Sequence, residues 1–294
     1  MSDLAPDGDP DSLPEGAIDC HVHTEPDLVK RHGSDLTLAR DTKRAGMAGA
    51  VVKSHVVHTA GRVAAANEAI GDEVLYGGVA LNGAVGGLNL DAVETALELG
   101  ARIVWLPTAW SRNHASQARA TGKSRFVGQR VPGPDEDIRV AVDGEVTDAT
   151  RAVIDCVASH GATLGTGHVS PDETAVVVDA CADAGVTCLV NHPFFRVVDI
   201  SIERQAALAD GGAVMEYCAY AVRSTEGHSV ERVAEAIERI GPENCLLATD
   251  FGQTGNPPVR GLAAFLDAVV DAGVDRDTAE RLVTSTPARV LGLA

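Results

Sequence analysis

Residues 18–24 read Ile18-Asp19-Cys20-His21-Val22-His23-Thr24, a short apolar strand that ends in two histidines. Side chains two residues apart in a β-strand lie on the same face, so both imidazoles can face one point. By itself an H-x-H pair is a weak signal, because two surface histidines on a strand would give the same pattern. Its meaning depends on where the other histidines fall along the chain.

Seven more short apolar runs follow, and amphipathic helical stretches separate them up to the C-terminus. This alternation is typical of βα units. Eight strands, each followed by a helix, close into a (β/α)8 TIM barrel, an α/β fold of about 250 residues. The predicted strands are Ala17–His23, Ala48–Ser54, Leu75–Leu81, Arg102–Leu106, Thr163–Gly167, Thr187–Asn191, Ala213–Tyr217 and Cys245–Thr249.

The length of 294 residues fits one barrel domain, which we predict at 16–294 after a disordered N-terminal segment at 1–15. One connection is too long for a plain βα loop, since Pro107 to Val146 separates the fourth strand from the next helix. It contains an Asp143-Gly144 hairpin turn. We interpret this loop and hairpin insertion either as a lid over the site or as a surface hairpin.

Other candidate ligands fall at the ends of predicted strands. His168 ends the fifth strand, His192 the sixth and Asp250 the eighth. The carboxyl ends of barrel strands converge, so these side chains and the H-x-H pair should meet. Imidazole nitrogens together with a carboxylate are ligands that divalent metals such as zinc bind. We therefore predict a metal site formed by His21, His23, His168, His192 and Asp250.

At these residues the sequence resembles the amidohydrolase superfamily, metal-dependent hydrolases built on a (β/α)8 barrel. The resemblance covers nearly the whole chain and closes with Ser285-Thr286-Pro287-Ala288-Arg289-Val290-Leu291-Gly292-Leu293, which is similar to the N-P-A-R-x-L-G-L of that group. The closest likeness is an amidohydrolase-related family of bacteria and archaea that carries no assigned reaction. The resemblance thus implies the chemistry and leaves the substrate open.

The resemblance also implies roles for the ligands. His21 and His23 would hold a first metal, with Asp250 as ligand and general base. His168 would bind a metal, and His192 would bind a second metal or polarise the substrate. A divalent cation lowers the pKa of bound water from about 15.7 to about 7, and a neighbouring carboxylate can accept the remaining proton. We expect zinc, with manganese, iron and nickel also compatible, at one or two ions per chain.

The fourth strand departs from the pattern of the superfamily. Its sequence, Arg102-Ile103-Val104-Trp105-Leu106-Pro107, has neither the carboxylated lysine nor the glutamate that bridges two metals in many members. The second strand ends Val52-Lys53-Ser54-His55, where Lys53 and His55 share a face. Lys53 could be a carboxylated bridging ligand, an ammonium that binds an anionic substrate, or a lysine whose head reaches solvent at the barrel mouth.

Four residues at or just beyond strand ends are candidates for substrate contacts: His55, Glu216, Trp105 and Asn82. Glu216 would orient a ligand or donate a proton, and a structural ion pair with an arginine is its alternative. Trp105 would wall a pocket or pack in the core. His55 is equally consistent with a surface imidazole. The predicted catalytic residues are Asp250, His192 and Lys53.

Three classes of enzyme fit these residues. The leading hypothesis is a metal-dependent hydrolase that attacks the carbonyl carbon of an amide, lactone or ester in a small molecule. A phosphoesterase of the polymerase-and-histidinol-phosphatase (PHP) type is an alternative, because His21-Val22-His23-Thr24 is similar to the opening of that group. A metal-dependent decarboxylase or other lyase is another. A non-catalytic degenerate barrel is disfavoured by the complete set of ligands.

Charge restricts the partners. The chain has 24 Lys+Arg against 42 Asp+Glu, a net charge of −18. This halophile-like acidic balance, which a GC-rich genome could also produce, repels phosphate backbones and anionic lipid. We predict a small-molecule substrate and no binding to nucleic acid or membranes. Lys53 and the arginines of the insertion, Arg119, Arg125 and Arg130, suggest an anionic substrate.

Location follows from what the sequence lacks. It has no apolar run near the length of about 18 residues that spans a bilayer, and Met1 to Gly16 is acidic instead of basic then apolar. The six cysteines form no C-x-x-C pair. We therefore expect a cytoplasmic protein with reduced thiols. No residue identifies an interface, so assembly into a homo-oligomer stays open.

Overall fold

The structure is a computed structural model that describes residue 4 and residues 6–293. Eight parallel strands form one sheet in chain order, which confirms the predicted (β/α)8 TIM barrel. Each predicted strand is present, with ends within two residues of the prediction. The strands are β1 (Ile18–Val22), β2 (Gly49–Val52), β3 (Leu75–Ala80), β4 (Ala101–Trp105), β5 (Thr163–Gly165), β6 (Thr187–Asn191), β7 (Val214–Cys218) and β8 (Cys245–Ala248).

Polar contacts join β1 to β8 and so close the barrel. The amide of His23 donates to the carbonyl of Phe251 at 2.7 Å. Below this bond the buried carboxylate of Asp19 accepts the hydroxyl of Thr249 at 2.6 Å and its amide at 3.0 Å. Burial raises the pKa of Asp19 to about 7. Asp19 is therefore a structural residue that fixes the strand carrying the H-x-H pair.

A bulge in β1 aims the two histidines. Asp19 lies opposite Ala50 and Val22 opposite Val52, so β1 has one residue more than β2 over this stretch. Before the bulge, Cys20 packs in a buried cluster with Trp105 and residues of the other strands. The extra residue shifts the alternation, as bulges near functional sites do. His21 and His23 consequently face the cavity although Cys20 also faces inward.

Twelve α-helices surround the strands in the described part of the chain. The sequence explains several of their ends: one helix begins with a capping box at Ser170 and ends at Gly185, which has a left-handed conformation. The helices are α1 (Asp35–Arg44), α2 (Ala60–Ile70), α3 (Leu90–Glu98), α4 (Arg112–Ala120), α5 (Asp148–Ser159), α6 (Pro171–Ala184), α7 (Ile202–Asp210), α8 (Ala219–Ser224), α9 (Val230–Ile240), α10 (Pro258–Asp271), α11 (Arg276–Arg281) and α12 (Ser285–Val290). None of these helices has both the length and the apolar character needed to span a membrane.

The prediction of disorder at 1–15 is wrong for the described part of this segment, which folds against the barrel. The amide of Gly8 donates to the carbonyl of Arg260 at 3.0 Å, and Pro10–Ser12 forms a turn of 3₁₀-helix against α10. Leu4 and Leu13 are buried. The prolines and acidic residues suggested disorder, but the two leucines cover apolar surface that the barrel domain would otherwise expose. Residues 1–3 and 5 lie outside the described residues.

The insertion after β4 reaches across the mouth of the barrel. It contains α4 and two short antiparallel hairpins, of which the first pairs Arg125-Phe126 with Gln129-Arg130. The turn residues Val127 and Gly128 both have positive φ, 47° and 77°. A Cβ on Gly128 would collide with Leu28 in the loop after β1, so the hairpin tip contacts that loop closely. This position supports the interpretation as a lid.

Candidate metal centre

A cavity of about 480 Å³ opens at the carboxyl ends of the strands. Seven of the residues predicted from sequence line it: His21, His23, Lys53, His55, His168, His192 and Asp250. All except Asp250 are almost fully buried. The cavity therefore has a base formed by imidazoles and Lys53, with the Asp250 carboxylate beside them.

The H-x-H pair and Asp250 bring three ligand atoms together. Oδ1 of Asp250 lies 3.0 Å from Nε2 of His23 and 3.3 Å from Nε2 of His21. All three atoms lie within 4.8 Å of one another. Two imidazole nitrogens and one carboxylate oxygen in this arrangement match the donors that zinc and similar divalent cations take. These residues thus fit the metal implied by the sequence.

Glu216 fixes the ring of His21 from behind. Its Oε2 lies 3.0 Å from Nδ1 of His21, which leaves Nε2 directed at Asp250. Asn191 donates to the same carboxylate oxygen at 2.8 Å, and burial raises the pKa of Glu216 to about 7. A carboxylate behind a ligating histidine is the usual way to set its tautomer and orientation. Glu216 is therefore a positioning residue.

His168 and His192 form the other side of the base, with ring centroids 4.9 Å apart. Nδ1 of His192 is buried and has no hydrogen-bond partner among the described residues. Nδ1 of His168 lies 2.7 Å from Nδ1 of His114. When Nδ1 of His168 donates this hydrogen bond and Nδ1 of His114 accepts it, Nε2 of His168 keeps its lone pair for a ligand.

Burial keeps the imidazoles neutral. It lowers the pKa of His21 and of His192 to about 3, and it lowers the pKa of His23, His55 and His168 well below 6.5. Neighbouring cations such as Lys53 lower these pKa values further. At pH 7 each ring is therefore neutral and keeps a lone pair on one of its two nitrogens, the state that metal ligation requires.

Lys53 lies inside the cavity beside the first ligand group. Its Nζ is 3.1 Å from Nε2 of His21 and 5.0 Å from the ring centroid of Trp105. The residue is 1% exposed. Burial lowers the pKa of its ammonium, while the charges of Asp250 and Glu216 act in the opposite direction. The interpretation of Lys53 as a lysine that reaches solvent is wrong, and the other two interpretations remain.

The backbone is strained at two of the candidate ligands. His192 has φ of 33° and Asp250 has φ of 52°, both in the left-handed region that non-glycine residues rarely adopt. Such conformations persist where the surroundings over-determine them, and they cluster at functional sites. Gly252, two residues after Asp250, also has positive φ, and a Cβ there would overlap the carbonyl oxygen of His23. The two strand ends are thus held in close contact.

Three predicted substrate contacts are not among the residues that line the cavity: Glu216, Trp105 and Asn82. Glu216 lies behind His21 and has neither a substrate-facing position nor the alternative arginine partner. Trp105 packs in the inner core. Asn82 holds Thr108, whose hydroxyl in turn lies 2.8 Å from Nδ1 of His55. Each therefore supports a cavity residue instead of meeting a substrate.

His114 is a residue of the site that sequence reasoning missed. It lies in α4 of the insertion and stacks on His168 with ring centroids 4.9 Å apart. In the sequence it looks like a histidine in a loop, because nothing local shows that the insertion folds back over β5. Its burial beside His168 joins the insertion to the base of the cavity.

We expect His114→Gln to lower the metal affinity of the centre by about 10–100-fold, the usual effect of losing the hydrogen-bond partner of a ligating histidine. The measurement is a competition titration with a chelating dye. His160→Gln is the matched control, since His160 is exposed at the end of α5 and bonds only local atoms. Equal affinity in both variants would contradict the role of His114.

The arginines of the insertion do not face the cavity. Arg119 pairs with Asp137 at 2.7 Å, and Arg130 pairs with Glu136 at 2.7 Å. Arg125 donates to the carbonyl of Gly128 within its own hairpin. None of the three lines the cavity, so the geometry does not support the expectation that they bind an anionic substrate. Other cations line the cavity instead, namely Lys30, Arg31 and Arg196.

Comparison with known proteins places the chain in a family. Residues 16–216 match DUF6282, which is described as a family of unknown function. The chain belongs to the DUF6282 family. The match includes every candidate ligand except Asp250, which follows β8 and lies beyond residue 216. No curated protein matches the sequence of this DUF6282 member.

Solved structures share the fold of this DUF6282 protein at low sequence identity. An amidohydrolase from Pseudomonas aeruginosa is 13% identical with a TM-score of 0.62, and 98% of each chain is covered. A candidate 2-pyrone-4,6-dicarboxylic acid hydrolase from Pseudomonas putida is 14% identical with a TM-score of 0.63, covering 96% of this chain and 99% of that one. An organophosphorus hydrolase from Deinococcus radiodurans is 12% identical with a TM-score of 0.59, covering 96% and 94%. The barrel fold that the chain shares with these structures therefore extends over nearly its whole length.

Proposed function

We propose that this DUF6282 protein is a metal-dependent hydrolase of the amidohydrolase type, acting on the carbonyl carbon of an amide, lactone or ester in a small molecule. The convergence of His21 Nε2, His23 Nε2 and Asp250 Oδ1 within 4.8 Å carries the proposal. The names of the structural neighbours, which include an amidohydrolase and an organophosphorus hydrolase, agree with hydrolysis. Zinc is the first expectation for the metal, because two imidazoles and a carboxylate are a common zinc set.

The residues of the cavity divide the work of hydrolysis. A bound divalent cation supplies the Lewis acidity that lowers the pKa of water to about 7. Asp250 accepts the remaining proton, since it is the only carboxylate that lines the described cavity. His192, whose Nδ1 is buried and unpartnered, binds a second cation or orients the carbonyl oxygen of the substrate. Phe126 and Val127 of the insertion limit access of bulk water.

The number of ions depends on Lys53. His21, His23 and Asp250 suffice for one ion, and His168 with His192 offers nitrogens for a second. A second ion would be favoured by an anionic ligand shared with the first, and β4 has neither a carboxylate nor a lysine to supply one. Lys53, which directly follows β2, has its Nζ within 3.1 Å of Nε2 of His21. We propose that it provides the bridge as a carbamate.

The structure counts against one of the two alternative functions more than against the other. A PHP-type phosphoesterase is expected to have seven strands, whereas this barrel has eight. Lyase chemistry uses the same fold and ligands, so the products decide between it and hydrolysis. Hydrolysis of a neutral ester or lactone releases one proton per turnover near pH 7, whereas a decarboxylase releases carbon dioxide. A pH-stat with a carbon dioxide electrode separates them.

Metal content and its removal test the proposal directly. Protein purified without added metal is expected to hold close to two ions per chain by plasma mass spectrometry. Treatment with dipicolinate should abolish hydrolysis of a panel of esters and lactones, and zinc or manganese should restore it. Close to one ion would indicate a mononuclear centre without a bridging role for Lys53. No metal after reconstitution would overturn the proposed function.

A further inference from the structure

The cavity carries charge of the opposite sign to the rest of the molecule. The chain has a net charge of −18. Yet the cavity is lined, apart from Lys53, by three cationic residues, Lys30, Arg31 and Arg196, and by one acidic residue, Asp250. A cleft of one sign concentrates ligands of the other sign, and low-dielectric walls strengthen the field. Holding a metal cation does not require these basic side chains, so another ligand of the cavity must account for them.

Arg31 is the buried member of the three cationic residues, and its side chain is held in place. It lies in the loop after β1 and is 4% exposed. Asp27 holds its guanidinium through Nε at 2.8 Å and Nη2 at 2.7 Å. The carboxylate of Glu25 also accepts its backbone amide at 3.2 Å. This support keeps the loop and its guanidinium against the cavity wall and compensates most of its charge.

Arg196 and Lys30 provide the uncompensated charge. Both line the cavity, and both are exposed. Among the described residues, no carboxylate lies within ion-pair distance of either side chain, whereas Arg119 and Arg130 of the insertion are paired. Arg196 follows β6 and Lys30 follows β1, so the two cations stand at different sides of the mouth. They are free to meet a charged ligand between them.

A tyrosine also lines this cavity. Tyr220 in α8 is partly buried and shares the lining with Arg196, Lys30 and Asp250. Burial and the charge of Asp250 raise the pKa of its hydroxyl, whereas the charges of Arg196 and Arg31 lower it. The cavity thus combines the candidate metal ligands with cationic residues and a hydroxyl that can donate a hydrogen bond.

We propose that Arg196 and Lys30 bind an oxyanion, a carboxylate or a phosphate, on the part of the substrate that lies away from the reacting bond. The proposal rests on the proposed function for the identity of the base, and it adds the class of substrate. Arg196 offers paired N–H donors that match two oxygens of such a group, and Lys30 adds a point charge. A cavity of about 480 Å³ holds a small molecule of this kind together with its reacting group.

Calorimetric titration with glutarate tests the proposal, with glutaramide as its uncharged counterpart. We expect glutarate to bind more tightly than glutaramide. Arg196→Gln and Lys30→Gln should each weaken glutarate binding by about tenfold, the typical value of a charge-assisted hydrogen bond. Arg151→Gln is the matched control, because Arg151 is exposed on α5, outside the cavity, and loses the same charge. That control should stay within about twofold of the wild type, as expected for a screened distant charge.

The same titrations after removal of metal separate this proposal from the proposed function. If the two cations bind the oxyanion, their variants lose affinity with and without metal. Equal effects of Arg196→Gln, Lys30→Gln and Arg151→Gln would overturn the proposal even when ester hydrolysis and metal content are as expected. Equal binding of glutarate and glutaramide would overturn it as well. A third probe, 4-phosphonobutyrate, identifies the oxyanion: tighter binding than glutarate supports a phosphate, and weaker binding supports a carboxylate.

Discussion

Asp250→Asn is expected to lower kcat by about 10³–10⁴-fold while the protein keeps its fold and much of its metal. General base catalysis contributes about 10²–10⁴-fold, and an amide cannot accept the proton that the carboxylate takes. Asparagine has the same shape and keeps an oxygen near Nε2 of His21 and His23, which lie 3.3 Å and 3.0 Å from Oδ1 of Asp250. The loss should therefore appear in turnover far more than in metal content.

The measurement combines steady-state kinetics on the best ester or lactone with plasma mass spectrometry of the same sample. Asp179→Asn is the control, since Asp179 is exposed on α6 and makes the same change of charge. A variant of Asp250 with full turnover would remove this residue from the mechanism. Loss of all metal together with turnover would make Asp250 a ligand first, and the base would then have to be another group.

Much of the fold and of the ligand set could be predicted because both depend on local sequence. Each barrel strand is a short apolar run, and each candidate ligand lies near the carboxyl end of such a run. His168, His192 and Asp250 could thus be placed at one end of the barrel before any contact was known. The alternation rule also paired His21 with His23, although the bulge in β1 changes the facing of the residues before them.

The missing parts of the site depend on contacts between distant segments. Nothing near His114 in the sequence shows that α4 lies against His168. Glu216 was expected to meet a substrate, but its partner is His21, 195 residues away in the chain. The sequence suggested that the arginines of the insertion could bind an anionic substrate. In the structure Arg119 pairs with Asp137 and Arg130 pairs with Glu136, and no pattern in the sequence indicates these pairs. Charge patterns in a sequence do not reveal which cations are already paired.

Lys53→Ala is expected to lower turnover on the order of 100-fold, and short carboxylates such as propionate should restore part of it. The reason is the position of Nζ, 3.1 Å from the Nε2 of His21 that also faces Asp250. An ammonium at this place repels a cation held by His21, whereas burial favours the neutral amine. A neutral amine combines with carbon dioxide to give a carbamate and a proton, and the carbamate is an anionic ligand.

Rescue chemistry distinguishes the two remaining roles of Lys53. Alanine leaves space where the side chain lay against Trp105, and a small carboxylate can enter it and replace a carbamate. Lys53→Met is the matched variant, because methionine fills the space without a nitrogen and leaves no room for a rescuing anion. If only amines such as ethylamine restore Lys53→Ala, the residue acts as an ammonium toward substrate. A second ion would then lack its bridge, and the metal content should be close to one per chain.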